Sequence, residues 1–157
     1  MHNIQVFQDQ LLNEIVNPNW KNESFEVERK KAYHEGFKKG MDAKETAIKT
    51  FFISNVDKVT KIAERLFNEF SKLNFKSSKL FLKPRDLKTF ELLFIVSEET
   101  YLSAVRKDVY KLIREEKKAV NSNDFQFECL IMPEIGETNF NLILSEGYTF
   151  SYEPNSR

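Results

Sequence analysis

The chain has 157 residues, of which 41% are hydrophobic and 31% are charged, and its formal net charge is zero. This length suits one domain with an appendage, and 15 phenylalanines supply enough apolar bulk for a core, which argues against general disorder. Zero net charge removes overall charge as an argument for nucleic-acid or membrane binding, and no apolar run approaches the roughly 20 residues that span a bilayer.

Two helices are predicted in the first third of the chain. Over residues 3–16, apolar side chains recur at helical spacing until a proline ends the pattern. A second helix is expected over residues 24–52, with a thin apolar stripe and two glycines near its middle. Together they form a predicted N-terminal arm, residues 1–52, ahead of the main domain, residues 53–157.

The strongest helical periodicity of the chain begins after residue 52. Ser54 and Asp57 are predicted to cap a new helix. Its apolar side chains recur every three or four positions, at Val56, Val59, Ile62, Ala63, Leu66, Phe67, Phe70 and Leu73. This spacing predicts a helix that buries one face against the rest of the domain.

A β–α–β core is predicted over residues 90–133, in the middle of the chain, with one further strand just before it. Strands are expected over residues 79–83 and 88–96, joined by a turn. From Leu92 onward the second strand is apolar on both faces, which is typical of a strand with neighbours on each side. Ser97 then opens a helix that is predicted to continue to about Val120.

Three further strands are predicted over residues 125–132, 139–144 and 148–153. Each alternates apolar with polar residues. The apolar residues that share one face are Phe125, Phe127, Cys129, Ile131, Phe140, Leu142, Leu144, Tyr148, Phe150 and Tyr152. Because a sheet with one apolar face packs helices on that side only, we predict an α+β fold: a helical arm, then a two-layer α/β sandwich of about five mostly antiparallel strands with helices on one face.

Charge is segregated along the chain. Residues 61–90 carry a net charge of +5, and residues 124–157 carry −5. One interpretation is a nucleic-acid interface, since cations interleaved with aromatic rings are typical of such sites. Its contact residues would be Lys72, Lys76, Lys79, Lys83, Arg85 and Lys88. The simpler interpretation is that the basic hairpin lies beside the acidic segment, within one sheet or across a dimer, or that its lysines protect a sheet edge.

Residues with catalytic potential form no complete pattern. Asp86, Glu91 and Glu128 could serve a divergent or degenerate nucleotidyltransferase, but the chain has only four glycines and no Gly-Ser loop before these acids. Glu98 fits the first turn of a helix, where acids complement the helix dipole. Cys129 alternates with apolar neighbours and is expected to pack in the core. We therefore predict no catalytic residue, cofactor or metal.

The helical arm carries more apolar surface than a small sheet can cover. The residues expected to contact another subunit are Trp20, Tyr33, Phe37 and Phe51. A second copy of the chain is the simplest partner. We therefore predict a non-enzymatic interaction or regulatory module that forms a homodimer or larger assembly, with the polar sheet face and the arm as its working surfaces. One cysteine and no secretory signal pattern favour a cytoplasmic, membrane-free setting.

Overall fold

The computed structural model describes residues 19–22, 43–134, 140–148 and 150–152. The predicted helix over residues 3–16 and most of the one over residues 24–52 lie outside these ranges. The described elements, in chain order, are β1 (Trp20–Asn22), α1 (Ala43–Lys72), β2 (Ser77–Pro84), β3 (Thr89–Ser97), α2 (Glu98–Tyr101), α3 (Arg106–Val120), β4 (Gln126–Glu134), α4 (Phe140–Ser145) and β5 (Phe150–Tyr152).

The five described strands form one sheet in the order β1-β5-β2-β3-β4. Only β3 and β4 run parallel, and α2 and α3 connect them. The other neighbouring strands are antiparallel. The predicted α+β class, with a mostly antiparallel sheet, is confirmed. So is the position of β3 between two neighbours, and every residue from Leu92 to Val96 is buried.

The first face of the sheet carries the main core. On β3 this face is formed by Phe90, Leu92 and Phe94, none of which is exposed to solvent. The long helix α1 packs here, with the ring of Phe70 centred 4.9 Å from that of Phe94. Helix α3 contributes to the same core. This face therefore matches the predicted single helical layer.

Helix α1 is continuous where the sequence suggested a break after residue 52. Phe52 and Val56 are both fully buried, so the apolar stripe passes through residue 54 in phase. Asn55 anchors this part of the helix, because its side-chain amide donates to the carbonyls of Leu87 and Asp124 at 3.0 and 3.1 Å. The predicted capping pair is therefore wrong. The domain boundary at residue 52 lies within α1 and stays a prediction.

The helix predicted from residue 97 onward consists of two helices. Ser97 caps α2, since its hydroxyl accepts a hydrogen bond from the Thr100 amide at 3.1 Å. The chain turns after α2, and Leu102 is 69% exposed there, although a continuous helix with its apolar residues on one face would have buried it. Helix α3 then starts at Arg106 and buries Val109 and Ile113. The prediction was right for α3 and wrong for the continuity.

The strand predicted over residues 139–144 is a helix in its described part. Helix α4 buries Ile143 and leaves Leu142 62% exposed, which reverses the predicted alternation. A physical cause is visible in β3: a strand that is apolar on both faces needs a cover on both. Gly147 ends the helix at φ 101°, a conformation that glycine adopts without strain.

The short strand β1 is tied to the core by the only tryptophan of the chain. Trp20 is 8% exposed, and its indole Nε1 donates to the hydroxyl of Thr60 at 2.8 Å. Its ring meets Tyr152 of β5 edge-on at 5.4 Å. Within the part of the chain that the structure describes, no helix has the length and apolar composition needed to cross a membrane.

Candidate interaction surfaces

The second face of the sheet is apolar at its centre, so the predicted polar face is wrong there. Phe81 of β2 and Leu93 and Ile95 of β3 point to this side. They pack against Ile143 of α4 and Tyr148 in a buried cluster. The prediction failed because it took residues 139–144 as a strand of the sheet, when they supply a helix that covers it.

An apolar groove lies between α4 and strands β3 and β4. It has a volume of about 300 Å³. Its lining residues are Leu93, Leu130, Met132, Leu142, Ile143, Glu146 and Tyr148. Two of its leucines face solvent: Leu130 on β4 is 48% exposed and Leu142 on α4 is 62% exposed. We call this surface the second-face groove.

One end of the second face is polar and ion-paired. Glu91 lies 3.3 Å from Arg85 and accepts a hydrogen bond from the Tyr148 hydroxyl at 3.1 Å. Burial, helped by the Glu91 charge, raises the pKa of Tyr148. Glu91 is also the register partner of Glu128, which is paired with Lys117 at 2.8 Å. Separate cations thus offset the repulsion between two adjacent carboxylates.

The three acids proposed for nucleotidyl transfer have separate structural roles. Asp86 accepts hydrogen bonds from the amides of Lys88 and Thr89 at 2.8 and 2.7 Å, which fixes the β2–β3 turn. Glu91 and Glu128 are ion-paired as described above. Over the described residues, no group of three or more His, Cys, Asp or Glu side chains is arranged to hold a metal. Glu98 is exposed in the first turn of α2.

The predicted nucleic-acid residues are divided among different environments. Lys72 ends α1 and pairs with Glu69 at 2.8 Å. Lys76 precedes β2, whereas Arg85 and Lys88 lie in the turn at its opposite end. Between them, Lys79 and Lys83 lie over the rings of Phe140 and Tyr148, each at 5.5 Å from the ring centre. The nucleic-acid interpretation stays a prediction, and these two lysines already contact rings of their own chain.

The basic and acidic segments are adjacent, as one prediction required. Strand β2 of the basic segment pairs with β5 of the acidic segment in the same sheet. The contact is not ionic, however, because no ion pair between described residues joins the two segments. Lysine–ring contacts and backbone pairing hold them together instead.

A basic groove that the sequence did not indicate lies between α1 and the loop after α3. Lys58, Lys61 and Arg65 border it, and its volume is about 270 Å³. Arg65 Nη2 is 3.0 Å from Glu116 Oε1, an ion pair without hydrogen-bond geometry. Lys58 lies 5.8 Å from the centre of the Phe125 ring. Two of the cations therefore already have partners within the chain.

The residues predicted to contact another subunit are only partly described. Trp20 is buried in the core of its own chain. Phe51 is 37% exposed on α1, and Tyr33 and Phe37 lie outside the described residues. Cys129 is directed toward the first face and is partly buried at the margin of the core, where burial and the Glu128 charge raise the pKa of its thiol. Its predicted place on the apolar face is confirmed.

Comparison of the chain with protein-family models, with curated proteins and with solved structures finds no match. Function must therefore be inferred from the surfaces themselves. The second-face groove was not predicted from the sequence, although two signals were present. One is the apolar run of β3, which required a cover on both faces. The other is the spacing of Phe140 and Ile143, which fits a helical turn.

Proposed function

We propose that this chain is a non-enzymatic interaction module that self-associates, and that the second-face groove is its working surface. The observation that supports this proposal is the pair of exposed leucines, Leu130 and Leu142, on the margin of the groove. A compact domain usually buries large apolar side chains that adjoin its core, and clustered exposed ones mark contact surfaces.

A second copy of the chain is the partner that needs the fewest assumptions. Homo-oligomers with two-fold symmetry are the commonest assemblies, and each copy brings the same apolar surface to the contact. Full burial of a fully exposed leucine side chain contributes about 1.5–3 kcal/mol. Because Leu130 is 48% and Leu142 is 62% exposed in the single chain, each would contribute roughly half of that to the interface. The proposed role is therefore assembly, with association itself as the biochemical activity.

Light scattering coupled to gel filtration tests this proposal. At micromolar concentration we expect wild type to have at least twice the chain mass of 18.6 kDa. Leu142→Asp should shift the mass toward the monomer, because the new carboxylate would be buried in the interface. Leu102→Asp is the matched control, since Leu102 is 69% exposed just after α2 and does not line the groove. A strictly monomeric wild-type protein, or equal dissociation by both variants, would overturn the proposal.

A further inference from the structure

Strand β4 forms one edge of the described sheet, and its register shows which backbone groups face outward. The Gln126 amide donates to the Lys88 carbonyl at 2.8 Å, so Gln126 directs its backbone toward β3. Backbone groups alternate in direction along a strand. Leu130 and Met132 therefore also direct their amides toward β3, and the odd-numbered residues of β4 direct theirs to the free edge.

At each end of this edge, the outward backbone groups cannot form the full set of hydrogen bonds with another strand. At one end, the side chain of Asn121 binds the backbone of Phe127 as a neighbouring strand would: its Oδ1 accepts from the Phe127 amide at 3.1 Å and its Nδ2 donates to the Phe127 carbonyl at 3.4 Å. At the other end, Pro133 has no amide hydrogen to donate. Between them lie Cys129 and Ile131, whose outward N–H and C=O groups have no partner among the described residues.

We propose that β4 of a second copy of the chain pairs with Cys129–Ile131 of the first. The two strands run antiparallel and are related by a two-fold axis at Leu130. The inference rests on the proposed self-association and names the contact. In this register Cys129 of each copy faces Ile131 of the other, which gives two reciprocal hydrogen-bonded pairs. The two ends of the edge also coincide in this register, because Phe127, whose edge is occupied by Asn121, falls at the position of Pro133 of the other copy, so the pairing is confined to residues 129–131 of each copy.

The two neighbouring registers would give fewer hydrogen bonds between the strands of the two copies. If the axis passed through Ile131, Cys129 would face Pro133, which lacks an amide hydrogen, and Glu128 would lie opposite Glu134, where like charges destabilise the pair. If it passed through Cys129, Ile131 would face Phe127, whose backbone is already bound by Asn121. With the axis at Leu130, Glu128 lies opposite Met132 instead.

The side chains on the second face support the same arrangement. Leu130 is 48% exposed at the edge and also lines the second-face groove. Pairing at the proposed axis places it directly against Leu130 of the other copy, and the two grooves then join into one trough on the same face of a continuous sheet, bordered by Leu142 of each copy. An edge strand that is protected against pairing with other chains usually carries a charge or a proline at its centre. Strand β4 instead has Leu130 at its centre, and the features that prevent pairing, Asn121 and Pro133, lie at its two ends.

Disulfide cross-linking tests the register directly. Directly opposite residues bring their Cβ atoms to about 4.5–5.5 Å, close to the separation a disulfide needs. In a Cys129→Ser background, Leu130→Cys should form a disulfide-linked dimer as the main species after treatment with oxidised glutathione, seen on a non-reducing gel. Wild type, with Cys129 alone, should cross-link far less, because its two thiols would be diagonal neighbours. Leu102→Cys in the Cys129→Ser background controls for random collision.

The outcomes separate this inference from the proposed function. A protein that is dimeric by light scattering but forms no Leu130→Cys cross-link keeps the proposed function and overturns the edge pairing. Faster cross-linking of wild type than of the variant would place the axis at Cys129 and overturn the register. A monomer that cross-links no faster than the Leu102→Cys control would overturn both. Mixed Glu128→Cys and Met132→Cys chains, again lacking Cys129, should cross-link to each other and give an independent check.

Discussion

Replacing Trp20 by alanine should lower the free energy of unfolding by about 3–5 kcal/mol, which is the usual cost of removing a buried tryptophan side chain. Trp20 is 8% exposed and joins β1 to both the sheet and α1. Its loss would leave a cavity and would remove the hydrogen bond to Thr60. Urea unfolding followed by circular dichroism at fixed protein concentration measures the change.

Trp20→Phe provides the matched control. It keeps most of the ring packing but removes the indole N–H that donates to Thr60 at 2.8 Å. We expect it to cost about 1 kcal/mol for the hydrogen bond, plus a smaller packing loss. If Trp20→Ala cost less than 1 kcal/mol, β1 would not be docked on the core as described, and Trp20 would return to the predicted subunit contacts.

The second large effect concerns α4, where the structure and the sequence pattern make opposite predictions. Ile143→Ala should destabilise the fold by about 2 kcal/mol or more, because Ile143 is 7% exposed in the cluster on the second face. Leu142→Ala should change the free energy of unfolding by less than about 0.5 kcal/mol in the monomer, since its side chain is 62% exposed. Urea unfolding of dilute protein measures both.

A strand in this segment would give the reverse order, with Leu142 inside and Ile143 outside. A larger loss for Leu142→Ala than for Ile143→Ala would therefore contradict the described helix α4. The comparison uses neighbouring residues and the same substitution, so differences in denatured-state effects are small. Repeating it at high protein concentration would add the interface contribution of Leu142.

The fold class could be read from local patterns because the largest elements are strongly periodic. The spacing of Val56, Val59 and Ile62 predicts α1, and the apolar run after Leu92 predicts a strand between two neighbours. Each of these two elements buries apolar side chains over many residues, and this burial outweighs the local conformational preferences of single residues. The α+β class and the mostly antiparallel sheet follow from those elements.

The errors arose in short segments where tertiary contacts override local pattern. Ser54 and Asp57 resemble a helix cap, but the buried Phe52 and Val56 carry α1 through that point. Residues 139–144 alternate like a strand. Helix α4 forms there instead and covers the second apolar face of β3. A pattern of six residues supports either structure, and only the surface it covers decides between them.

The candidate surfaces were harder to predict than the fold. The edge of β4 depends on the order of the strands and on Asn121, whose side chain binds the Phe127 backbone across six positions of sequence. Neither can be read from a periodic pattern. The exposure of Leu130 likewise follows from β4 being an edge strand, since a central strand would bury the same residue.

Amide hydrogen exchange at Cys129 and Ile131, resolved by nuclear magnetic resonance, would show whether two copies of the chain pair through β4. At concentrations where light scattering gives a dimer, both amides should be protected, and their protection should fall on dilution as the strands separate. The amides of Leu130 and Met132 face β3 and should stay protected throughout. If Cys129 and Ile131 exchange in the dimer as fast as unprotected amides, the copies do not associate through β4 and the account is contradicted.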